Sequence, residues 1–248
     1  MLKEAMQYLR DTAAPNIRTF DEKQFSDKEM RRIYTKDYPD EINMSTLTGL
    51  KDYLLSENLR NERVQDLIIQ IHSPEHVSLY SKLDEDQKRL HYVDVRADLP
   101  EHYFDRYLDQ ENFIISLKTK FVQSDDPNDD VNLLVRFAGT AEGSTLRQYK
   151  DDGFSQAVTV ADGIASKADA EVPNPVSLRP YRTFHEIEQP ESLFVFRMKE
   201  RDGMNCAIYE ADGGAWRNTA IQSIKKYLDD FVKTELPEDV QKHITVIA

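Results

Sequence analysis

The segment 174–184 concentrates the residue types of this sequence that are best suited to bind an anion. Arg179 and Arg182 could grip a phosphate or a carboxylate through paired N–H donors, and Tyr181 could stack on a nucleobase. The same arginines could instead form ion pairs with the glutamates of 186–191, inside the fold or across a subunit contact. The sequence leaves both interpretations open and favours structural pairing.

A second candidate for anion binding, Asp212-Gly213-Gly214, precedes a long amphipathic segment. Two glycines before a helix N-terminus can expose backbone N–H groups to an anion. The stretch lacks the Gly-Lys-Ser/Thr ending of a P-loop, and the chain has no Gly-x-Gly-x-x-Gly, so a strand-to-helix turn is the default interpretation. With Arg197, these two stretches make up the predicted ligand-binding set. Its members are Arg179, Tyr181, Arg182, Arg197, Gly213 and Gly214.

Two acidic stretches could hold a metal ion. The carboxylates of 125–130 could bind calcium through oxygen, but the stretch has neither the turn glycine nor the terminal glutamate of an EF-hand. Asp151-Asp152-Gly153 could present two carboxylates to a metal. A solvated hairpin tip explains the first stretch and a tight turn explains the second, so we predict no metal and no cofactor.

The nucleophiles and histidines form no recognisable catalytic pattern. Cys206, the single cysteine, lies in an apolar stretch and is interpreted as a small buried hydrophobe. His72 and His76 are four residues apart, but Pro74 between them prevents a shared helix face, so we interpret them as surface or strand-end histidines. The chain also lacks Gly-x-Ser-x-Gly. We therefore predict no catalytic residues, and the sequence leans away from an enzyme without excluding one.

Composition limits the kind of partner. The chain has 248 residues, and its 45 acidic and 32 basic residues give a net charge of −13, which weighs against a broad nucleic-acid-binding face. An apolar content of 40% is enough for a packed core. The N-terminus lacks the pattern of a signal peptide, and no apolar stretch approaches the roughly 18 residues of a membrane helix. We expect a soluble, intracellular protein with no membrane partner.

The order of predicted elements indicates one α+β domain, 45–248, after an N-terminal arm, 1–44. A short helix opens the arm, which continues as a polar stretch with scattered aromatics. In the domain, the spacing of apolar residues predicts a shorter helix at 47–58 and a long amphipathic helix at 215–233. A further short helix is expected within 99–108.

The sheet is predicted to be mainly antiparallel. The strongest strand signal is the alternation of apolar and polar residues in 113–121 and 131–137, which predicts a hairpin with 124–130 at its tip. Pro173 and Pro175 precede the segment 176–184 and Pro180 lies inside it, which favours an edge strand, a bulge or an extended connection there. The other predicted strands are 67–71, 77–83, 90–96, 154–160, 193–199, 205–211 and 243–247.

Several short sequence motifs between Phe113 and Leu228 are specific enough to compare with known families. They are Lys120–Val122, Phe137–Thr140, Asp152-Gly153, Ala165–Lys167, Pro173–Val176, Leu178–Phe184, Gln189–Ser192, Phe194–Lys199 and Glu210–Trp216. On these residues the chain resembles an uncharacterised family of phage and prophage proteins, a domain of unknown function. The resemblance implies an origin in a bacteriophage or prophage and a place in the bacterial host cytoplasm. It implies no catalytic residues.

Three functions are compatible with these observations. The favoured one is a non-catalytic accessory protein that assembles into a homo-oligomer and acts by binding, since aromatic-bearing arms and strand edges can pair between subunits. Its further partner would be an unidentified host or phage protein. The alternatives are a binder or hydrolase of a small anionic ligand such as a nucleotide, and single-stranded nucleic-acid handling, against which the net charge weighs.

Overall fold

The computed structural model describes most of the chain. The described residues are 2–13, 15, 17–20, 23–28, 40–56, 66–84, 87–140, 149–151, 156–159, 169–171, 174–200 and 203–248. The chain divides into two compact units, Met1–Pro39 and Asp40–Ala248. No helix in the described residues has the length and apolar character needed to cross a membrane.

The smaller unit contains one helix and one hairpin. Helix α1 (Leu2–Ala13) confirms the helix predicted at the start of the chain. Strands β1 (Ile17–Phe20) and β2 (Lys23–Ser26) pair antiparallel in the stretch expected to be extended. Met6 and Ile17 are both more than half exposed, at 66% and 51%. The use of this unit as an arm stays a prediction.

The larger unit mixes strands and helices, and it has the long helix predicted near its C-terminal end, followed by a short helix and a last strand. Its elements are β3 (Ile42–Met44), α2 (Leu47–Leu55), β4 (Leu67–Ser73), β5 (His76–Ser81), β6 (His91–Arg96), β7 (Leu108–Asp109), α3 (Gln110–Lys120), α4 (Asp130–Thr140), β8 (Tyr149–Asp151), β9 (Gln156–Thr159), β10 (Asp169–Glu171), β11 (Val176–Leu178), β12 (Ser192–Glu200), β13 (Met204–Glu210), α5 (Trp216–Thr234), α6 (Glu238–Gln241) and β14 (Ile244–Ile247).

A five-stranded sheet, in the order β14-β4-β5-β6-β3, forms the first core. Its central strands are antiparallel, and both edge strands run parallel to their neighbours. Alternate residues such as Ile69, Leu79 and Val93 are fully buried under α2 and α5. Thr46 caps α2 by accepting a hydrogen bond from the Gly49 N–H at 3.1 Å. The two helices thus cover one face of the sheet and leave the other face to polar residues.

A four-stranded antiparallel sheet, in the order β11-β12-β13-β7, forms the second core with α3 and α4. The strand β11 lies at its edge, which confirms the interpretation of the proline-rich segment. Cys206 is fully buried in β13, and burial raises the pKa of its thiol to about 12, so it is the inert hydrophobe that the sequence predicts. A third sheet, β10-β9-β8, is also antiparallel.

The hairpin predicted at 113–121 and 131–137 is wrong, because both segments are helical, in α3 and α4. Phe113, Leu117 and Phe121 are spaced by four, so they satisfy a helical stripe as well as the alternation of a strand. The carboxylate of Asp109 caps α3 by accepting from the Asn112 N–H at 2.9 Å.

Two further predictions in this region are also wrong. The helix expected within 99–108 is a turn followed by β7. The acidic stretch 125–130 joins two helices instead of forming a hairpin tip, and Asp130 accepts a hydrogen bond from the Ser177 N–H at 2.6 Å. Of the other acidic stretch, Asp151 ends β8, while Asp152-Gly153 lies outside the described residues.

The segment 182–189 joins the two cores. The Thr183 hydroxyl donates to the Pro74 carbonyl at 2.6 Å, and Phe184 is buried in the first core. The buried amide of Gln189 accepts from the backbone N–H groups of Arg182 at 3.0 Å and Thr183 at 3.3 Å, and it donates to carbonyls of the same loop. One side chain thus satisfies the backbone of a loop that has no secondary structure of its own.

Replacing that amide should destabilise the fold. We expect Gln189→Ala to lower the free energy of unfolding by about 2–4 kcal/mol, because buried backbone groups lose their partners. Urea denaturation followed by circular dichroism measures the change. The control is Gln222→Ala at an exposed position of α5, which should change stability by less than about 0.5 kcal/mol. Equal effects of the two substitutions would contradict the role of Gln189.

Candidate functional site

Arg182, from the predicted ligand-binding set, is buried and engaged inside the fold. Its Nη1 donates to Oε1 of Glu210 at 2.5 Å, and its Nη2 donates to the Ser192 hydroxyl. Its guanidinium carbon lies 4.0 Å from the ring centre of Trp216, a stacking distance. The structural pairing favoured from the sequence therefore holds for Arg182, although its partner is Glu210 instead of a glutamate within 186–191.

The glycine pair lies where it was expected, before α5, and both residues have positive φ angles, +63° at Gly213 and +81° at Gly214. The Gly214 N–H donates to Oδ1 of Asp212 at 2.9 Å, while Oδ2 of Asp212 accepts from the Ser192 hydroxyl at 2.5 Å. Burial alone would raise the pKa of Asp212, but these hydrogen bonds outweigh it and lower the pKa. The carboxylate of Asp212 thus occupies the position at the helix N-terminus where an anionic ligand was expected.

The other members of the predicted set lie elsewhere. Arg179 is 4.0 Å from Glu188 in an exposed ion pair, and the Nη1 of Arg197 donates to the Phe196 carbonyl at 3.1 Å. The ring of Tyr181 lies 5.3 Å from that of His185. Among the described residues, no side-chain hydrogen bond, ion pair or ring contact joins Arg179, Tyr181 or Arg197 to the Arg182 cluster.

The face of the five-stranded sheet away from α2 and α5 brings together His72, His76 and His91. In the register of β5 and β6, His76 lies opposite Arg96, Ser78 opposite Asp94, and Tyr80 opposite His91. Side chains of directly opposed residues point to the same face of a sheet. His72 joins them from β4, its ring stacked on that of His76 with the centres 4.4 Å apart. We call this surface the histidine face; its members are His72, His76, Ser78, Tyr80, His91, Asp94 and Arg96.

Asp94 lies at the centre of the histidine face. Its Oδ1 accepts from Nε2 of His76 at 2.6 Å and from the Ser78 hydroxyl at 2.9 Å, and its Oδ2 accepts from Nε of Arg96 at 2.9 Å. Nε2 of His91 lies 3.6 Å from Oδ1. Burial by itself would raise the pKa of Asp94, but the hydrogen bonds from His76 and Ser78 lower it to about 2. Asp94 is therefore a charged carboxylate throughout the physiological pH range.

The hydrogen bonds around Asp94 fix the protons on the neighbouring rings. Ser78 has one hydroxyl proton, which goes to Asp94, so the Ser78 oxygen must accept from Nε2 of His72, 3.2 Å away. Nε2 of His76 must likewise carry a proton to donate to Asp94. Burial, and then the electrostatic interaction with the nearby imidazole of His76, lower the pKa of His72 and favour its neutral form. On both rings Nδ1 is then the nitrogen that can take up a further proton.

Several polar groups of the histidine face have no partner among the described residues. They are Nδ1 of His72, Nδ1 of His76, the Tyr80 hydroxyl and both Nη groups of Arg96, whose side chain is 67% exposed. Tyr80 stacks on His91 with the ring centres 4.6 Å apart. Nε2 of His91 is buried and forms no hydrogen bond within the described part of the chain. The surface combines rigid flat rings with donors that remain available to a ligand.

The arrangement is not that of a serine nucleophile activated by a His–Asp pair. Such a relay needs the serine and the carboxylate on opposite nitrogens of one imidazole. Here Ser78 and Asp94 both contact Nε2 of His76, at 3.2 and 2.6 Å. Within the described ranges, no group of three or more His, Cys, Asp or Glu side chains has a geometry that could hold a metal ion.

His72 lies near the end of β4 and His76 begins β5, which confirms them as strand-end histidines, but their spacing on a helix does not predict the histidine face. The two-residue turn at 74–75 connects two strands and brings these histidines into contact. A usable signal was present in the sequence, since His76, Ser78 and Tyr80 alternate with the apolar Val77 and Leu79. Comparison of the chain with family models, with curated proteins and with solved structures returned no match.

Asp94 should make the fold sensitive to acid. Its pKa is about 2 in the folded state against an ordinary 3.8, so the stability it contributes is complete above pH 3.8 and is lost as the pH falls through 2. We expect this contribution to be about 2 kcal/mol. Urea unfolding of wild type and Asp94→Asn at pH 5 and at pH 2 measures it. The stability advantage of wild type should shrink at pH 2.

The matched control is Asp230→Asn, at an exposed position of α5. This substitution removes a carboxylate that is not enclosed by donors, so its effect on stability should change little between the two pH values. If Asp94→Asn and Asp230→Asn show the same pH dependence, the special role of Asp94 is disproved.

Proposed function

We propose that this chain acts by binding and that the histidine face is its ligand-binding surface. The observation that supports this most directly is the spare hydrogen-bonding capacity of His72, His76, Tyr80 and Arg96. Hydrogen bonds to Asp94 and Ser78 and the stacking of the rings hold most of these groups in place. A surface that is already ordered loses little side-chain entropy on binding, which favours affinity.

The Arg182 cluster supports this choice by contrast. The guanidinium of Arg182 uses its Nη donors on Glu210 and Ser192, and the turn before α5 is occupied by the carboxylate of Asp212. A ligand at that cluster would have to displace ion pairs and hydrogen bonds that are already formed, at a cost comparable to the contacts it gained. On the histidine face, a ligand would instead add contacts to the exposed Arg96 and to rings that are partly accessible to solvent.

We further propose, from the resemblance, that the protein is an accessory protein of a bacteriophage or prophage that acts in the bacterial cytoplasm as a homo-oligomer. The exposed Met6 and Ile17 of the smaller unit support assembly, because exposed apolar side chains can anchor a neighbouring subunit. The free edge of β14 is a poorer candidate, since Nζ of Lys225 donates to the Val246 carbonyl at 2.8 Å and protects that edge.

Ligand binding is tested by the imidazole signals of the full chain in ¹H–¹³C NMR spectra. Inorganic phosphate, adenosine, adenosine 5′-monophosphate and a single-stranded oligothymidylate are added one at a time. We expect at least one probe to shift the signals of His72, His76 and His91. His102, His185 and His243 lie off this face and provide the control in the same spectrum. If no probe moves the three signals, or if all six move equally, the proposal that the histidine face is the ligand-binding surface fails.

Assembly is tested by size-exclusion chromatography with light scattering. We expect wild type to have the mass of an oligomer and Met6→Glu to shift it toward the monomer, because a charge would be buried at the subunit contact. The control is Lys28→Glu, which changes an exposed residue of the same unit. A wild-type mass equal to one chain would contradict the proposed assembly.

A further inference from the structure

We propose that the histidine face binds a nucleotide, with its phosphate held by Arg96, His72 and His76 and its base against the stacked pair of Tyr80 and His91. This inference rests on the proposed function, since it names the ligand class of the same surface.

The charge of the face selects an anion. Asp94 is neutralised by Arg96 and by the hydrogen bonds of His76 and Ser78, so the outermost groups of the face are the Arg96 Nη donors and the imidazoles. A phosphate accepts well from a guanidinium, which offers two parallel N–H groups. The bond from Nε of Arg96 to Asp94 fixes the guanidinium and leaves its Nη side for the ligand.

The rings select a ligand with a flat group. Tyr80 and His91 stack with their planes 25° apart, and His72 and His76 stack at 23°. The face of His91 turned away from Tyr80 has no ring contact in the described part of the chain, and bases stack on aromatic faces with a favourable energy for any base. The ring centre of His72 lies 6.2 Å from that of Tyr80, so the phosphate-binding groups and the stacking pair are within reach of one mononucleotide.

Binding should take up a proton on an imidazole. Nε2 of His72 and Nε2 of His76 already donate within the network, so an added proton goes to Nδ1, which then becomes a donor to phosphate. The groups that face His72 are His76 and Tyr80 from β5, and His91, Asp94 and Arg96 from β6. On this face β14 contributes the uncharged Thr245 and Ile247, and the adjoining turn contributes Glu75. A bound phosphate adds negative charge to this set and favours the imidazolium.

The test is isothermal titration calorimetry of the full chain with adenosine 5′-monophosphate, inorganic phosphate and adenosine at pH 6 and pH 8. We expect the nucleotide to bind more tightly than either fragment, and to bind about tenfold more tightly at pH 6 than at pH 8. Because the phosphate itself titrates in this range, the comparison that decides is between proteins. In His72→Gln the ratio of the nucleotide affinity at pH 6 to that at pH 8 should fall toward one. Arg96→Gln should instead bind the nucleotide about tenfold or more weakly at both pH values.

The matched control is Arg106→Gln, an exposed arginine at the turn before β7, which should bind the nucleotide as wild type does. Circular dichroism of each variant confirms that it is folded. Nucleotide binding that Arg96→Gln leaves unchanged would overturn the inference. Binding of inorganic phosphate alone, or of the oligonucleotide alone, would also overturn the inference, although the proposed function would then stand. If no probe shifts the histidine signals, the proposed function itself fails.

Discussion

The burial of the Asp94 carboxylate is the constraint that arranges the histidine face. A charge removed from water must be surrounded by donors, and β5 and β6 supply three of them from His76, Ser78 and Arg96. Since the Ser78 proton goes to Asp94, His72 must donate to Ser78. The buried carboxylate thus determines which atom donates in each of these hydrogen bonds. The orientation of the outer rings is therefore set by a charge that no ligand contacts.

Arg182 is the other buried charged residue among those described in the larger unit, and its Nη donors are engaged within the fold. Arg182 is enclosed by Glu210, Ser192 and Trp216, and Asp212 bonds to the backbone at the start of α5. These contacts join β12, β13 and α5, so they hold the end of the second sheet against α5. Both clusters contain arginine, aromatic and acidic side chains. They differ in whether the donors point inward to the fold or outward to solvent, and this difference depends on three-dimensional packing that residue types alone do not specify.

The elements that the sequence predicts well are those with one dominant periodicity. The stripe of α5, with Ala220, Ile224 and Leu228 buried, fits a helix only, and the apolar run of β4 is too short for one. Segment 113–121 was misjudged because Phe113, Leu117 and Phe121 fit both periods. The deciding signal lay outside the alternating residues, in Asp109 and the acidic first turn that it caps, which mark the start of a helix.

The site was harder to predict, because its members meet only if the strands pair in one register. Alternation alone places Ser78 and Asp94 on polar faces, but the pairing of β5 with β6 shifts by one residue between Leu79 and Tyr80. This bulge puts His91 opposite Tyr80 and leaves Tyr92 to pack against the first core. In a regular ladder Tyr92 would lie opposite Tyr80, and His91 would point into the core. His91 therefore approaches Asp94 because of a β-bulge, and neither composition nor periodicity predicts that bulge.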